Sequence, residues 1–188
     1  MEGRCDKLVQ CEDFSDEQDC KILVLPENYN KRLPPLPSPD QKDEKSINLQ
    51  INVTVTILSF QNLDETRGSF QMNFDATYEW FDRRVLFHNL KPNSNLNTLF
   101  PLEAEGLWLP RAKYSRTTTQ RRQSEKELAT KKVTVSRQGG FVRSGREVAD
   151  EIEIFDGAEN KLSMKEEIKE EFVCGFSTFW YPFDKQVE

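Results

Sequence analysis

Three of the four cysteines, Cys5, Cys11 and Cys20, crowd into the acidic stretch "CDKLVQCEDFSDEQDC" at the start of the chain. Thiols this close, in a segment too poor in apolar residues to build a core, suit either a disulfide-stapled secreted module or a metal site. Zinc needs four soft or borderline ligands, and the single histidine, His88, is far away in sequence, so stapling is the preferred reading. His88 itself reads as a half-exposed strand residue. The other end of the chain, "FWYPFDKQVE" at 179–188, packs aromatics around Pro182, which suits a rigid turn covered by another surface, with Cys174 shortly before it. Carboxylates are plentiful, but no histidine or apolar pocket pattern accompanies them. With no nucleophile–base pair, phosphate loop or metal-hydrolase spacing, the chain reads as a non-enzyme.

The elements that must carry these groups follow from the bulk numbers and the periodicity. The 188 residues suffice for one ordinary domain and a small appendage, and the formal net charge of −6 disfavours general nucleic-acid affinity. No stretch approaches the ~20 apolar residues that span a bilayer, and Met1-Glu2-Gly3-Arg4-Cys5 lacks the apolar region of a secretory leader. After the cysteine segment, "KILVLPENYNKRLPPLPSPD" suggests a helical turn giving way to a proline-rich stretch, either a spacer or a PxxP ligand. In "INLQINVTVTI" every second residue from Ile47 to Ile57 is apolar and the rest are Asn, Gln or Thr. That alternation is the period of a half-buried strand. The turn "DETRG" leads into a second run, "SFQMNFDATYEWFD", with Phe70, Met72, Phe74, Ala76, Tyr78 and Trp80 on one face. The two runs predict an antiparallel hairpin in a sandwich or barrel, with Val53, Val55, Phe74 and Trp80 inside.

Further along, "LFPLEAEGLWLPRAKY" reads as irregular, anchored by Trp108 and Pro110. Residues 111–132 hold eight Lys or Arg against two Glu, a solvated loop or a nucleic-acid patch, of which the loop is preferred. "KVTVSR", "GGFVRSG" and "DEIEIFDG" suggest short strands, and "MKEEIKEEFVC" fits either a helix or one strand face. Asn52-Val53-Thr54 is an N-glycosylation sequon, with Asn52 on the polar face of its strand.

Two resemblances add to this reading. "CDKLVQCEDFSDEQDC" resembles the C-terminal half of a low-density-lipoprotein receptor class A module, which folds around Ca²⁺ because a hard cation gathers carboxylate and carbonyl oxygens. By that resemblance Asp6, Asp16 and Glu17 are calcium ligands, Gln10 replaces a fourth carboxylate, and Cys5 pairs with Cys20. An acidic disulfide-bonded arm without calcium is the alternative.

"CGFSTFWYPFDKQVE" resembles the signature loop of Cys-loop receptors, the pentameric ligand-gated ion channels: a cysteine, thirteen residues with an aromatic-Pro-Phe-Asp centre, and a second cysteine. Position 188, where that second cysteine is expected, is Glu188, so the chain is expected to be a fragment of a longer parent. "LVLPENYNKRLPP" is similar to the family's N-terminal helix and turn, "INLQINVTVTI" to its first strand, "YEWFDRRV" to its Trp-x-Asp-x-Arg and "LWLPRAKY" to its Trp-x-Pro-Asp. The resemblance implies that Tyr181, Pro182, Phe183 and Asp184 serve gating. It implies that ligand binds between neighbouring subunits, where Asp75 replaces a frequent aromatic and Tyr114 stands one residue from another.

The expectation is thus a mostly β chain: an incomplete, immunoglobulin-like antiparallel β-sandwich with a short N-terminal helix and a small disulfide/calcium module. Residues 1–20 form the partial class A module, 21–45 the helix and Pro-rich linker, and 46–188 the N-terminal part of the ligand-binding domain. The resemblance implies a non-enzymatic extracellular piece of a plasma-membrane channel subunit, with homologous subunits and a small-molecule ligand as partners and no nucleic acid. A secreted soluble binding protein of the same fold and a calcium-dependent adhesion ectodomain are the alternatives.

Overall fold

A computed structural model describes residues 12–13, 20–36, 49–115, 117, 131–142 and 152–174 of the protein. The expected hairpin is its spine. Strands β2 (Asn52–Asp64) and β3 (Ser69–Trp80) pair antiparallel, and the turn between them is closed by Asp64, whose carboxylate accepts the N–H groups of Thr66 and Arg67 at 3.0 and 2.9 Å. Gly68 completes the turn at φ 60°, a backbone region that glycine enters without steric cost.

Strand β7 (Lys161–Val173) lies on the far side of β3 and β5 (Lys131–Ser136) beyond it, giving a four-stranded sheet in the order β2-β3-β7-β5. "MKEEIKEEFVC" is therefore a strand: Met164, Glu166, Ile168 and Cys174 all turn their side chains to the buried side. The second layer is a three-stranded antiparallel sheet of β1 (Leu23–Val24), β4 (Leu86–His88) and β6 (Ile154–Asp156), in the order β1-β4-β6. Leu23, Phe87 and Phe155 from this layer meet Trp80, Val133, Val135, Leu162 and Met164 from the other in one hydrophobic core. Two antiparallel sheets packed face to face make a sandwich, one of the two architectures, sandwich or barrel, that the alternation allows.

Three details depart from the sequence expectation. The N-terminal helix is replaced by β1 and two turns, in which the Tyr29 N–H donates to Pro26 O and the Leu33 N–H to Asn30 O. The reason is local: the N–H groups of Ile22 and Leu23 are taken by the Glu103 carboxylate at 2.8 and 2.9 Å, Leu23 and Val24 pair with β4, and Pro26 follows. Conversely, "PLEAEG" forms the short helix α1 (Pro101–Gly106), with proline at its first position and Glu103 reaching back to the Phe100 N–H at 2.9 Å.

The third departure concerns β2. Val53, Val55 and Ile57 stand opposite Tyr78, Ala76 and Phe74 and so share their face, yet they are 56%, 54% and 53% exposed. Phe74 and Trp80 are inside as expected, whereas Val53 and Val55 are not. The second layer covers β3, β7 and β5, while among the described residues β2 is the edge strand and its apolar side lies outside the core cluster. Leu58 is an extra residue between the pairs Ile57↔Phe74 and Ser59↔Asn73. This bulge returns Phe60 to the same side as Ile57.

Candidate functional site

The sheet has a second, polar side, and its residues come from the same strands. Because side chains alternate along β3, the register that buries Phe74, Ala76, Tyr78 and Trp80 turns Asn73, Asp75, Thr77 and Glu79 the other way. Asp75 stands opposite Thr56 on one side and Glu167 on the other, and its carboxylate takes the Lys165 ammonium at 2.7 Å. Four residues further along, Glu79 takes Lys161 at 2.9 Å. The face around Asp75 thus presents two cross-strand ion pairs set among Thr54, Thr56, Thr77 and Ser163. Lys165 is the more exposed partner of its pair, so the ammonium meets solvent while the carboxylate is largely enclosed.

Tyr114 occupies the opposite side. Its ring meets Phe74 edge-on at 5.5 Å between centroids, and its hydroxyl shares a 2.8 Å hydrogen bond with Tyr78. Burial, and after it the Tyr78 hydrogen bond, raises the Tyr114 hydroxyl well above the usual phenol range. Burial likewise raises Tyr78. Glu166 adds to both shifts and is paired with Lys131 at 3.5 Å on the same buried face. Within one chain Asp75 and Tyr114 are therefore on opposite faces of β3 and cannot touch one ligand together.

A third cluster ties the strands to the N-terminal segment. Asp82 is fully buried just past β3 and holds Arg84 through two parallel bonds, Nε to Oδ1 at 2.8 Å and Nη2 to Oδ2 at 2.7 Å. The Tyr29 hydroxyl donates to Asp82 Oδ2 at 3.0 Å and accepts the Trp108 N–H at 2.9 Å, while the Arg84 guanidinium lies 4.7 Å from the Tyr29 ring centroid. Burial first, then the neighbouring Asp82 charge, pushes the Tyr29 hydroxyl up to about 12 against the lowering effect of the Trp108 bond. Trp108 closes the corner by packing edge-on against Trp80 at 6.1 Å. This arrangement ties the N-terminal segment to the end of β3, with Tyr29, Asp82 and Arg84 already satisfying one another.

Of the remaining sequence-predicted residues, Asn52 begins β2 and is exposed. Cys20 is in a disulfide bond, but Cys5 and the proposed calcium ligands Asp6, Asp16 and Glu17 lie outside the described residues. So do Tyr181, Pro182, Phe183, Asp184 and most of the basic stretch. Among the described residues no cluster of three metal-ligating side chains occurs, and no helix is long and apolar enough to cross a membrane. Sequence reasoning missed Lys165 and Glu103 as partners. For Lys165 the signal was available, since strand alternation in β7 sets it on the side opposite Met164.

No curated protein matches the chain. Residues 18–187 match the neurotransmitter-gated ion-channel ligand binding domain, a stretch that contains both sheets, the Tyr29–Asp82–Arg84 corner and the Asp75 face, and the chain belongs to that family.

Proposed function

We propose that the chain is the ligand-binding part of a channel subunit, displayed on the extracellular side of the plasma membrane. It would assemble with four homologous subunits and bind a small transmitter where the Asp75 face of one subunit meets its neighbour. The observation that carries this reading is the family match across 18–187, and the open Asp75 face supports the location. Asp75 is a carboxylate already satisfied by an exposed ammonium. An amine transmitter would exchange for Lys165 on Asp75, a swap of like for like that avoids burying an unpaired charge. An anionic transmitter on Lys165 would instead leave the largely enclosed Asp75 carboxylate without a countercharge, which disfavours it. Tyr114 would contribute from the core side of the neighbouring subunit by setting the position of its loop. Tyr181 to Asp184 would couple the bound state to the pore.

The test is expression of the parent subunit in oocytes, with currents evoked by a panel of small amines and amino acids. Asp75→Asn should weaken amine potency at least tenfold while leaving maximal current intact, and Phe183→Ala should cut maximal current while binding persists. A secreted five-membered ring that binds transmitter without current would favour a soluble binding protein. Cell–cell or cell–matrix attachment lost on calcium chelation, with no transmitter binding, would favour an adhesion ectodomain and overturn the proposal.

A further inference from the structure

Asn52 is followed by Val53 and Thr54, and all three are exposed at the start of an edge strand. Asn52 and Thr54 stand opposite Glu79 and Thr77, so both sequon side chains project from the polar face of the sheet. The neighbouring Glu79 is already neutralised by Lys161 at 2.9 Å and makes no demand on Asn52. A substituent on the Asn52 amide would therefore displace no core residue and break no ion pair.

We infer that Asn52 carries an N-linked glycan, which keeps the Asn52 end of the Asp75 face open to solvent and confines subunit contact on that face to its other end. The inference rests on the extracellular reading, because the modification takes place in the secretory pathway. In the reaction the Asn52 Nδ2 forms a bond to the anomeric carbon of a lipid-linked oligosaccharide. The sugar–pyrophosphate bond breaks, the lipid pyrophosphate leaves with the electron pair, and one amide proton is lost to a base on the transferase. The hydroxyl of Thr54, two residues on and on the same face, is what the transferase requires at that position.

The consequence is geometric. Thr56 faces Asp75, so the glycan attaches four residues along the strand from the proposed ligand side, about 14 Å at the rise of an antiparallel strand. A branched oligosaccharide at that distance cannot be enclosed in a packed protein interface. It also shields the outer edge of β2, which pairs with no other strand among the described residues and would otherwise offer a template for edge-to-edge association.

The experiment expresses the full chain behind a cleavable secretion signal in a eukaryotic host, as wild type, Asn52→Gln, Thr54→Ala and Thr54→Ser. Wild type and Thr54→Ser should run as glycosylated bands that collapse on treatment with a peptide N-glycosidase, and the other two should run at the collapsed position. Mass mapping of the treated wild type should show Asp at position 52, a readout independent of how the variants fold. Secreted wild type with unmodified Asn52 overturns the inference and leaves the channel reading standing. A glycosylated chain whose parent gives no current and binds no transmitter does the reverse. In the assembled parent the glycan should be released by the same enzyme without dissociating the subunits; protection until dissociation would overturn the claim that this end of the face is open.

Discussion

Replacing Arg84 by alanine isolates the contribution of the buried corner. Asp82 has no solvent exposure and is held by the Arg84 fork, the Tyr29 hydroxyl and the Arg84 backbone N–H at 3.1 Å. Without the guanidinium the carboxylate stays buried with its two neutral donors and no countercharge. Breaking a buried pair in this way costs about 3–5 kcal/mol, and the lost bond from Nη1 to Leu33 O at 2.9 Å adds to it. Arg84 is about one-fifth exposed, so water enters where it was and the low end, about 3 kcal/mol, is the better figure. Set against a typical domain stability of about 5–15 kcal/mol, that is a large share. Arg84→Lys keeps the charge but not the fork and should cost about half as much. Urea titration followed by tryptophan fluorescence reads the change directly, since Trp80 and Trp108 pack at this corner. Tyr29→Phe combined with Arg84→Ala should cost less than the two single changes added, because both remove support from the same carboxylate. An Arg84→Ala loss below about 0.5 kcal/mol, or one equal to that of Arg84→Lys, would refute the reasoning.

Burial, reinforced by the charge of Lys21, holds the His88 imidazole below its ordinary pKa of 6.5, so the unfolded chain binds that proton more readily than the folded one. Stability should be complete above pH 6.5 and decline as pH falls below it, and His88→Asn should flatten the decline in thermal melts. Glu103→Ala strips the acceptor from the N–H groups of Ile22, Leu23 and Phe100 and should cost about 2–3 kcal/mol in the same urea titration, with β1 the first element to lose hydrogen-exchange protection. Ala76→Asp puts an unpaired charge into the core and should unfold the domain, whereas Val55→Asp on the exposed partner strand should cost less than about 1 kcal/mol; equal losses would mean that β2 is covered.

What the sequence made legible was whatever depends on local periodicity. The period-two pattern of β3 assigned all six of its apolar residues to one side, and the structure agrees from Phe70 to Trp80. The same pattern in β2 assigned the side correctly but not the burial, because burial depends on what packs over a strand and alternation carries no information about that. Leu23 and Val24 read as part of a helix because their strand partner, β4, lies some sixty residues away and two pairs are too few to leave a period. Asp82 and Arg84 were visible as parts of a motif, but their pairing was not read from it, and the third member of the cluster, Tyr29, depends on a contact across fifty-three residues. The start of α1 was missed although proline at its first position and Glu103 two residues later are a readable N-terminal signal.

The two faces of β3 also bear on how the domain can respond to a ligand. Along its twelve residues β3 pairs with β7 without a single register shift, so Asp75 and Lys165 sit on a continuous ladder that also fixes Tyr78 and Trp80 in the core. A slip of one residue there would carry every core side chain to the polar face, which makes sliding between these strands prohibitively costly. The β2–β3 ladder is different. It is interrupted at Leu58 and again between Gln61 and Asp64, where Asn62 adopts φ 52°. Bulges concentrate twist and absorb displacement, so of the two neighbours of β3 it is β2 that can bend while the ladder holding Asp75 stays fixed. Movement prompted by a ligand on the Asp75 face would then pass either through β2 toward its turn end, where Gly68 O accepts the Cys174 N–H at 2.7 Å, or through rotation of the whole sandwich against its neighbours. The first route ends where the aromatic segment after Cys174 begins, so the Gly68–Cys174 contact joins the bulged strand of the sheet to the stretch proposed to act in gating.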